Sequence, residues 1–189
     1  PEALLQAMDH YGIHEALVVD TVSAATNPMA GNRRIASVCR DYPRLHPAWA
    51  GLLPSSHEMP SPDEFIGQMR EEGIAALYLF YGQFSLPLHD WAMGDLLGPL
   101  QEAGVPVFLC PNALMEPGRN DITDWPGVVE LCQSFPELPV IVTERRIYRT
   151  QRPLYAAMEV CPNLKVDLSS LWLRNRVEFI KEHFGIDRV

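Results

Sequence analysis

Nearly continuous apolar runs of strand length recur along the chain, each following a glycine or a proline. Three of them follow a glycine: HYGIHEALVVD (10–20), EEGIAALYLF (71–80) and EAGVPVFLC (102–110). The other three follow a proline: DYPRLHPAWAGLL (41–53), SFPELPVIVT (134–143) and VCPNLKVDLSS (160–170). Runs rich in Val, Ile and Leu, without polar alternation, are typical of parallel strands buried on both faces. The pattern therefore predicts six parallel strands.

Helical patterns separate these runs. Apolar residues recur at i, i+3 and i+4 in seven segments: 1–11, 32–42, 62–73, 90–104, 122–135, 152–161 and 174–185. Ser61, Asp90 and Thr123 are side chains suited to helix N-termini. Four glycines are predicted in the left-handed position that ends a helix: Gly12, Gly73, Gly104 and Gly185.

Strand and helix alternate in units of roughly 30 residues, the usual size of a strand–helix–strand crossover. The ending FGIDRV (184–189) is similar to the starts of the earlier strands, so we expect a strand to begin there. The first helix has no strand before it. One further strand at each end gives eight strands, which right-handed crossovers close into a barrel.

We therefore predict an α/β fold, a (β/α)8 TIM barrel seen without its first strand and most of its last. Residues 1–189 are predicted to form one such domain, incomplete at both ends. A doubly wound open sheet is the alternative. It has less support because no glycine-rich phosphate loop follows any of the predicted strands.

Composition and charge narrow the classes of partner. The chain has 189 residues and a formal net charge of -9. Acidic chains without a basic run are poor candidates for binding nucleic acid or an anionic membrane. No apolar stretch approaches the roughly 20 residues that cross a bilayer. We expect a small-molecule substrate, and exposed aromatics such as Trp91 and Trp172 leave a homo-oligomer open.

The cysteines indicate a reducing compartment. They are widely spaced, without a CxxC motif, so we expect free thiols and a cytoplasmic protein. The positions are Cys39, Cys110, Cys132 and Cys161.

The order of the framework segments resembles that of the amidohydrolase-related (Amidohydro_2 type) metal-dependent hydrolases. The resemblance rests on YGIHEALVVD, NRRIASVCRDYP, LHPAWAGLLP, PDEFIGQMREEGIAALYLF, LLGPLQEAGVPVFL, WPGVVELCQSFPELPVIV and NLKVDLSS, which together span essentially the whole chain. It implies a (β/α)8 barrel that hydrolyses or decarboxylates small substrates, often aromatic or carboxylated. It also implies one zinc or manganese ion as the common cofactor.

The metal ligands implied by the resemblance are changed here. The family has a His-x-His on barrel strand 1, a His ending each of strands 5 and 6, and an Asp ending strand 8. Strand 5 reads PVFLCPN, which puts Cys110 at the ligand position. Strand 6 reads PVIVTERR, which puts Glu144 there, or Thr143 if the register differs by one residue. Neither strand has a His, so we expect an altered metal site with Glu144 and Cys110 as ligands, or a metal-free site.

The stretch LPVIVTERR (138–146) supplies the main catalytic candidate. In such a barrel the carboxyl ends of the strands carry the chemistry, and Glu144 lies at one of those ends as a general base or ligand. Arg146 and Arg149 follow it in an otherwise acidic chain. The planar guanidinium group binds carboxylates through two parallel hydrogen bonds, so these arginines predict an anionic substrate.

Other predicted strand ends and the loops after them add candidates. Asp20 ends one strand, before a small polar segment expected as a loop, and is either a second catalytic carboxylate or a cap residue. Four further residues are predicted to bind substrate: Tyr81, Asn112, Trp49 and His57. The favoured function is hydrolysis of a small carboxylated or aromatic substrate by water attack. The alternatives are a non-catalytic barrel that acts as a binding or partner subunit, and a decarboxylase.

Overall fold

A single parallel sheet organises the protein. The computed structural model describes residues 1–111, 123–143, 151–168 and 175–189. Its strands pair in parallel and in the order of the sequence. They are β1 (Ala16–Val18), β2 (Leu45–Ala50), β3 (Ala76–Leu79), β4 (Val107–Leu109), β5 (Val140–Val142) and β6 (Leu164–Val166). All six predicted strands are confirmed.

At least one α-helix connects each strand to the next. The helices are α1 (Glu2–Tyr11), α2 (Thr21–Ala25), α3 (Pro28–Cys39), α4 (Pro62–Glu71), α5 (Asp90–Ala103), α6 (Trp125–Ser134), α7 (Arg152–Val160) and α8 (Arg176–His183). Within the described ranges, 3-10 turns also lie at Pro54–Ser56 and Ile186–Arg188. The predicted cap at Ser61 is confirmed, since its side chain accepts from the Glu64 N–H. Helix α6 begins one residue later than expected, with Asp124 as its cap.

The segment after β1 is helical, which corrects the expected loop. The Asp20 carboxylate accepts from the Val22 N–H at 2.7 Å and so starts helix α2. Helix α3 then begins at Pro28, capped by Asn27, and not at Asn32. The reason is local: Asp and Asn side chains satisfy N–H groups that a helix start leaves unpaired.

The expected strand at the end of the sequence is wrong. Residues 186–188 form a 3-10 turn, because the Arg188 side chain folds back beneath β6. Its Nε–H donates to the Leu164 carbonyl at 2.6 Å, and its Nη2 donates to the Cys161 carbonyl at 2.6 Å. A buried guanidinium group needs such acceptors, and meeting them holds the segment against α7 and β6.

The two faces of the sheet differ. Successive side chains of a strand point to opposite faces. One face packs against the helices in the main apolar core, and its strand residues include Trp49, Leu77, Val107, Val140 and Leu164. On the other face Tyr78 stacks between Phe80 and Phe108, with ring centroids 5.5 and 4.7 Å away. We call this second face the inner face.

The helices distinguish the two architectures that the sequence left open. A doubly wound sheet carries helices on both faces, whereas a barrel carries them outside only. The main core joins one face of the sheet to buried residues of five successive helices: Phe65 (α4), Leu96 (α5), Leu131 (α6), Met158 (α7) and Ile180 (α8). Apart from Ala24 of the short helix α2, which packs with Phe80 and Cys110 on the inner face, the described helices have the layering of a barrel wall.

Candidate functional site

Four side chains form a row along the inner face where the strands end. The ladder continues one residue past β4, β5 and β6: the N–H groups of Cys110, Thr143 and Asp167 donate to Leu79, Leu109 and Val142 at 2.9, 3.0 and 3.1 Å. This register places Phe80, Cys110, Thr143 and Asp167 side by side on the inner face. We call these four residues the edge row.

The register decides which residue of β5 lies beside Cys110. Val142 is opposite Leu109 and packs in the main core, so the next residue, Thr143, faces inward. Of the two positions that the resemblance offered, the register therefore pairs Thr143 with Cys110, and Glu144 is one residue further along. The Thr143 hydroxyl donates to the Leu109 carbonyl at 3.2 Å, which holds the end of the strand in place.

The edge row does not fit the zinc or manganese centre that the resemblance implies. It offers one thiol, one hydroxyl and one carboxylate, whereas zinc sites use several His, Cys or carboxylate ligands around one point. No three His, Cys, Asp or Glu residues come together as a metal site within the ranges that the structure describes. Of the six His residues, none belongs to the row. We derive no chemical step through a metal at this row.

An apolar floor lies behind the edge row. Cys110 is 4% exposed and packs with Phe80, Ala24 and Ala50. Tyr78 is partly buried beside this cluster, stacked on Phe80. Flat aromatic surface next to a short polar edge suits a small substrate with an aromatic or apolar body.

Asp20 has two structural tasks. Besides capping α2, its carboxylate accepts from Arg34 Nε and Nη2, both at 2.6 Å. This hydrogen-bonded contact raises the pKa of the Arg34 guanidinium group above its usual value. Both oxygens of Asp20 thus have partners within the wall of the fold, and the carboxylate is 8% exposed. The catalytic role assigned to Asp20 stays a prediction.

Asn32 is a positioning residue that sequence reasoning missed. Its Nδ2 donates to the Ala50 carbonyl at 2.9 Å and its Oδ1 accepts from the Ala50 N–H at 2.8 Å. The Ser23 hydroxyl also donates to Oδ1, at 3.0 Å. Asn32 therefore ties α3 and α2 to the end of β2. The sequence contains a signal for this role. Asn32 begins the helical pattern NRRIASVC, where a cap is expected. If the helix begins before that pattern, Asn32 lies inside it and its side chain is available for other hydrogen bonds.

Two predicted substrate-binding residues meet in a pocket that lies outside the inner face. Trp49 points into the helix layer, where its ring lies 5.3 Å from that of Phe65. His57 ends the 3-10 turn after β2, with a left-handed backbone at φ 58°. Both line a cavity of about 510 Å³ between α3 and the α4 region. We call it the helix-layer pocket, lined by Asn27, Met29, Asn32, Arg33, Trp49, His57, Glu58, Met59, Pro60, Phe65 and Gln68.

Tyr81, also predicted to bind substrate, lies in the main core and is 7% exposed. Its position differs from the open mouth expected from the sequence, because the segment after β3 folds back and the Leu86 N–H donates to the Tyr81 carbonyl at 2.9 Å. The remaining candidates lie outside the described residues: Asn112, Glu144, Arg146 and Arg149.

Comparison with known proteins supports the fold. No protein-family model matches the chain, and no curated protein matches it. Among solved structures, an uncharacterized TIM-barrel protein from Bordetella bronchiseptica is similar over 99% of this chain and 67% of its own, with 23% identity and a TM-score of 0.65. A protein described as an amidohydrolase II is similar over 85% of this chain and 61% of its own, with 15% identity and a TM-score of 0.54.

These likenesses show the fold. The chain is an α/β protein with the strand and helix order of a TIM barrel, and it spans about two thirds of the length of the solved structures it matches. In the described ranges, no helix has both the length and the apolar content that a membrane crossing needs.

Proposed function

We propose that this chain belongs to a hydrolase with an amidohydrolase-like barrel, which acts on a small carboxylated or aromatic substrate. The observation that supports it most is the edge row, where four strands end side by side next to the apolar floor. The carboxyl ends of the strands carry the active sites of TIM-barrel enzymes. The fold alone does not give the reaction, so the proposal depends on the residues that follow these ends.

Glu144 directly follows Thr143 of the edge row in sequence, and we assign it the role of general base. A carboxylate at this position would take a proton from the attacking water as the new C–O bond forms at a carbonyl carbon and the C=O π bond opens to an oxyanion. The same carboxyl group would then return the proton to the leaving oxygen or nitrogen as its bond to that carbon breaks and the carbonyl re-forms. Arg146 and Arg149 come next, and we assign them to the substrate's carboxylate. The apolar floor, extended by Phe108, which stacks on Tyr78, would receive the apolar part of the substrate.

The test uses hydrolysis of a panel of aryl esters, lactones and amides, each as a carboxylated and a neutral version. We expect Glu144→Gln to lower kcat by at least about a hundredfold, the lower limit for loss of a general base. Glu137→Gln is the matched control, because Glu137 is an exposed carboxylate before the opposite end of β5. Turnover by Glu144→Gln close to that of the control would remove Glu144 from the mechanism.

The arginines are tested with the same panel. Arg146→Gln and Arg149→Gln should raise KM for the carboxylated substrates by about tenfold, the effect of losing one charge-assisted contact. KM for the neutral versions should stay unchanged. Arg70→Gln is the control, because Arg70 is exposed in the last turn of α4. Equal KM changes for charged and neutral substrates would refute the role of the arginines in binding the carboxylate.

A second function is favoured by one observation, the poor fit of the edge row to a metal centre. A barrel that binds carboxylates without turning them over would have the same fold and the same arginines. Calorimetric binding of the carboxylated panel without any hydrolysis, unchanged in Glu144→Gln, would support this binding function over the hydrolase.

A further inference from the structure

The helix-layer pocket is separate from the edge row, because Trp49 and Ala50 project to opposite faces of β2. Trp49 packs in the main core, whereas Ala50 packs with Phe80 and Cys110 of the edge row. Its cavity of about 510 Å³ is within the range of roughly 300–1,000 Å³ typical of small-molecule sites. One wall is apolar: Trp49, Met59 and Phe65 are all buried there, at 4%, 8% and 1% exposed. The pocket can therefore take an apolar group of the size of an aromatic ring.

The pocket also carries two opposite charges that are not paired with each other. Arg33 extends from α3 and Glu58 from the segment between β2 and α4, and both line the cavity. Neither forms an ion pair with any residue in the described part of the chain. A ligand with one positive and one negative group can satisfy both charges at once, whereas a simple anion is repelled by Glu58.

From the cavity, its apolar wall and these two charges we infer that the helix-layer pocket binds a small zwitterion of the α-amino acid class with an apolar side chain. Its carboxylate is held by Arg33 and its ammonium group by Glu58. Its side chain packs against Phe65 and Met59. This site is independent of the proposed hydrolase reaction at the edge row.

The first experiment compares three probes by calorimetry on the purified protein. L-Phenylalanine carries both charges, 3-phenylpropionate lacks the ammonium group, and phenylalaninamide lacks the carboxylate. We expect L-phenylalanine to bind at least about tenfold more tightly than either of the others, since each loses one charge-assisted contact. Equal affinities for the three, or no binding of any at about 10 mM, weaker than the millimolar dissociation constants of specific small ligands, would overturn the proposal.

Variants then assign each charge. Arg33→Gln should abolish the preference for L-phenylalanine over phenylalaninamide, and Glu58→Gln should abolish its preference over 3-phenylpropionate. Both residues are exposed, so both variants should fold. The matched controls are Arg70→Gln and Glu71→Gln, two exposed charges of α4 that do not line the pocket. Preferences that survive in the pocket variants, or fall equally in the controls, would refute the assignment.

The indole gives a direct signal for the location of the ligand. The N–H resonance of Trp49, assigned by its loss in Trp49→Phe, should shift when L-phenylalanine is added. The same shift should persist in Glu144→Gln, because Glu144 has no part in the site proposed at the helix-layer pocket. If the shift disappeared in Glu144→Gln, the ligand would bind at the edge row and the pocket proposal would be refuted. If Glu144→Gln lost only its hydrolytic turnover, that result would concern the hydrolase proposal and not the pocket.

Discussion

Asn32 is the residue whose replacement tests how α3 holds the end of β2. Two buried backbone groups depend on its side chain, the N–H and the carbonyl of Ala50. The Ser23 hydroxyl, which also donates to Asn32, has a second acceptor in the Pro28 carbonyl at 3.3 Å. Leaving a buried donor or acceptor without a partner costs about 1–3 kcal/mol. At the lower limit for each of the two groups, because water can enter part of the space left, Asn32→Ala should lower the free energy of unfolding by about 2 kcal/mol.

The matched control is Asn27→Ala on the same helix. The Asn27 side chain caps α3 at an exposed position by accepting from the Ala30 N–H at 3.0 Å, and loss of such a cap costs about 1 kcal/mol. Urea unfolding followed by circular dichroism gives the free energy of unfolding of both variants. In thermal unfolding Tm should fall about 4–8 °C for Asn32→Ala and about 2–4 °C for the control. If Asn32→Ala destabilised no more than Asn27→Ala, the hydrogen bonds to Ala50 would not hold the strand end.

Two further predictions concern Asp20 and the buried thiols. Asp20→Asn keeps a helix cap but removes the charge facing Arg34. If Asp20 is structural, turnover on the hydrolysis panel should stay within about tenfold of wild type. A drop of about a hundredfold or more would show that Asp20 is catalytic. Burial raises the pKa of Cys132 and Cys161, so the folded protein keeps their protons to higher pH than the unfolded chain. Their contribution is complete below about pH 8.5, and the free energy of unfolding should fall as pH rises above it. Urea unfolding at pH 8 and pH 10 should show a smaller fall for Cys132→Ala than for wild type, and equal falls would contradict the argument.

The alternation of strand and helix was predictable because it depends on local signals. Each apolar run lies beside a Gly or Pro, and a strand buried on both faces leaves a continuous apolar signature. The two errors also have local causes. FGIDRV matched a strand start, but Arg188 found acceptors beneath β6. The segment after Asp20 was predicted as a loop because small polar residues are common in turns. The Asp20 carboxylate instead accepts from the Val22 N–H and starts a helix.

The helix-layer pocket could not have been predicted. Trp49, Arg33 and Glu58 are close only because β2, α3 and the segment before α4 pack together. Sequence reasoning placed Trp49 at the barrel mouth from its position near a strand end. The face on which a strand residue points is set by pairing with its neighbours, and a one-residue change in register moves every side chain to the other face.

The pairing of the strands also decides which residue of β5 occupies the candidate metal position. This choice affects the proposed chemistry more than any other. In a run such as PVIVTE both faces are apolar, so the sequence contains no alternation to show which of Thr143 and Glu144 points inward. The pairing of β4 with β5 supplies that information. Val142 is opposite Leu109, and the next pair along the strands, Thr143 with Cys110, faces the inner side of the sheet. A hydroxyl already bonded to the Leu109 carbonyl is a weak metal ligand, because zinc prefers imidazole, thiolate and carboxylate. This is why our proposal gives Glu144 the role of a base acting on water and does not require it to complete a metal centre at the edge row.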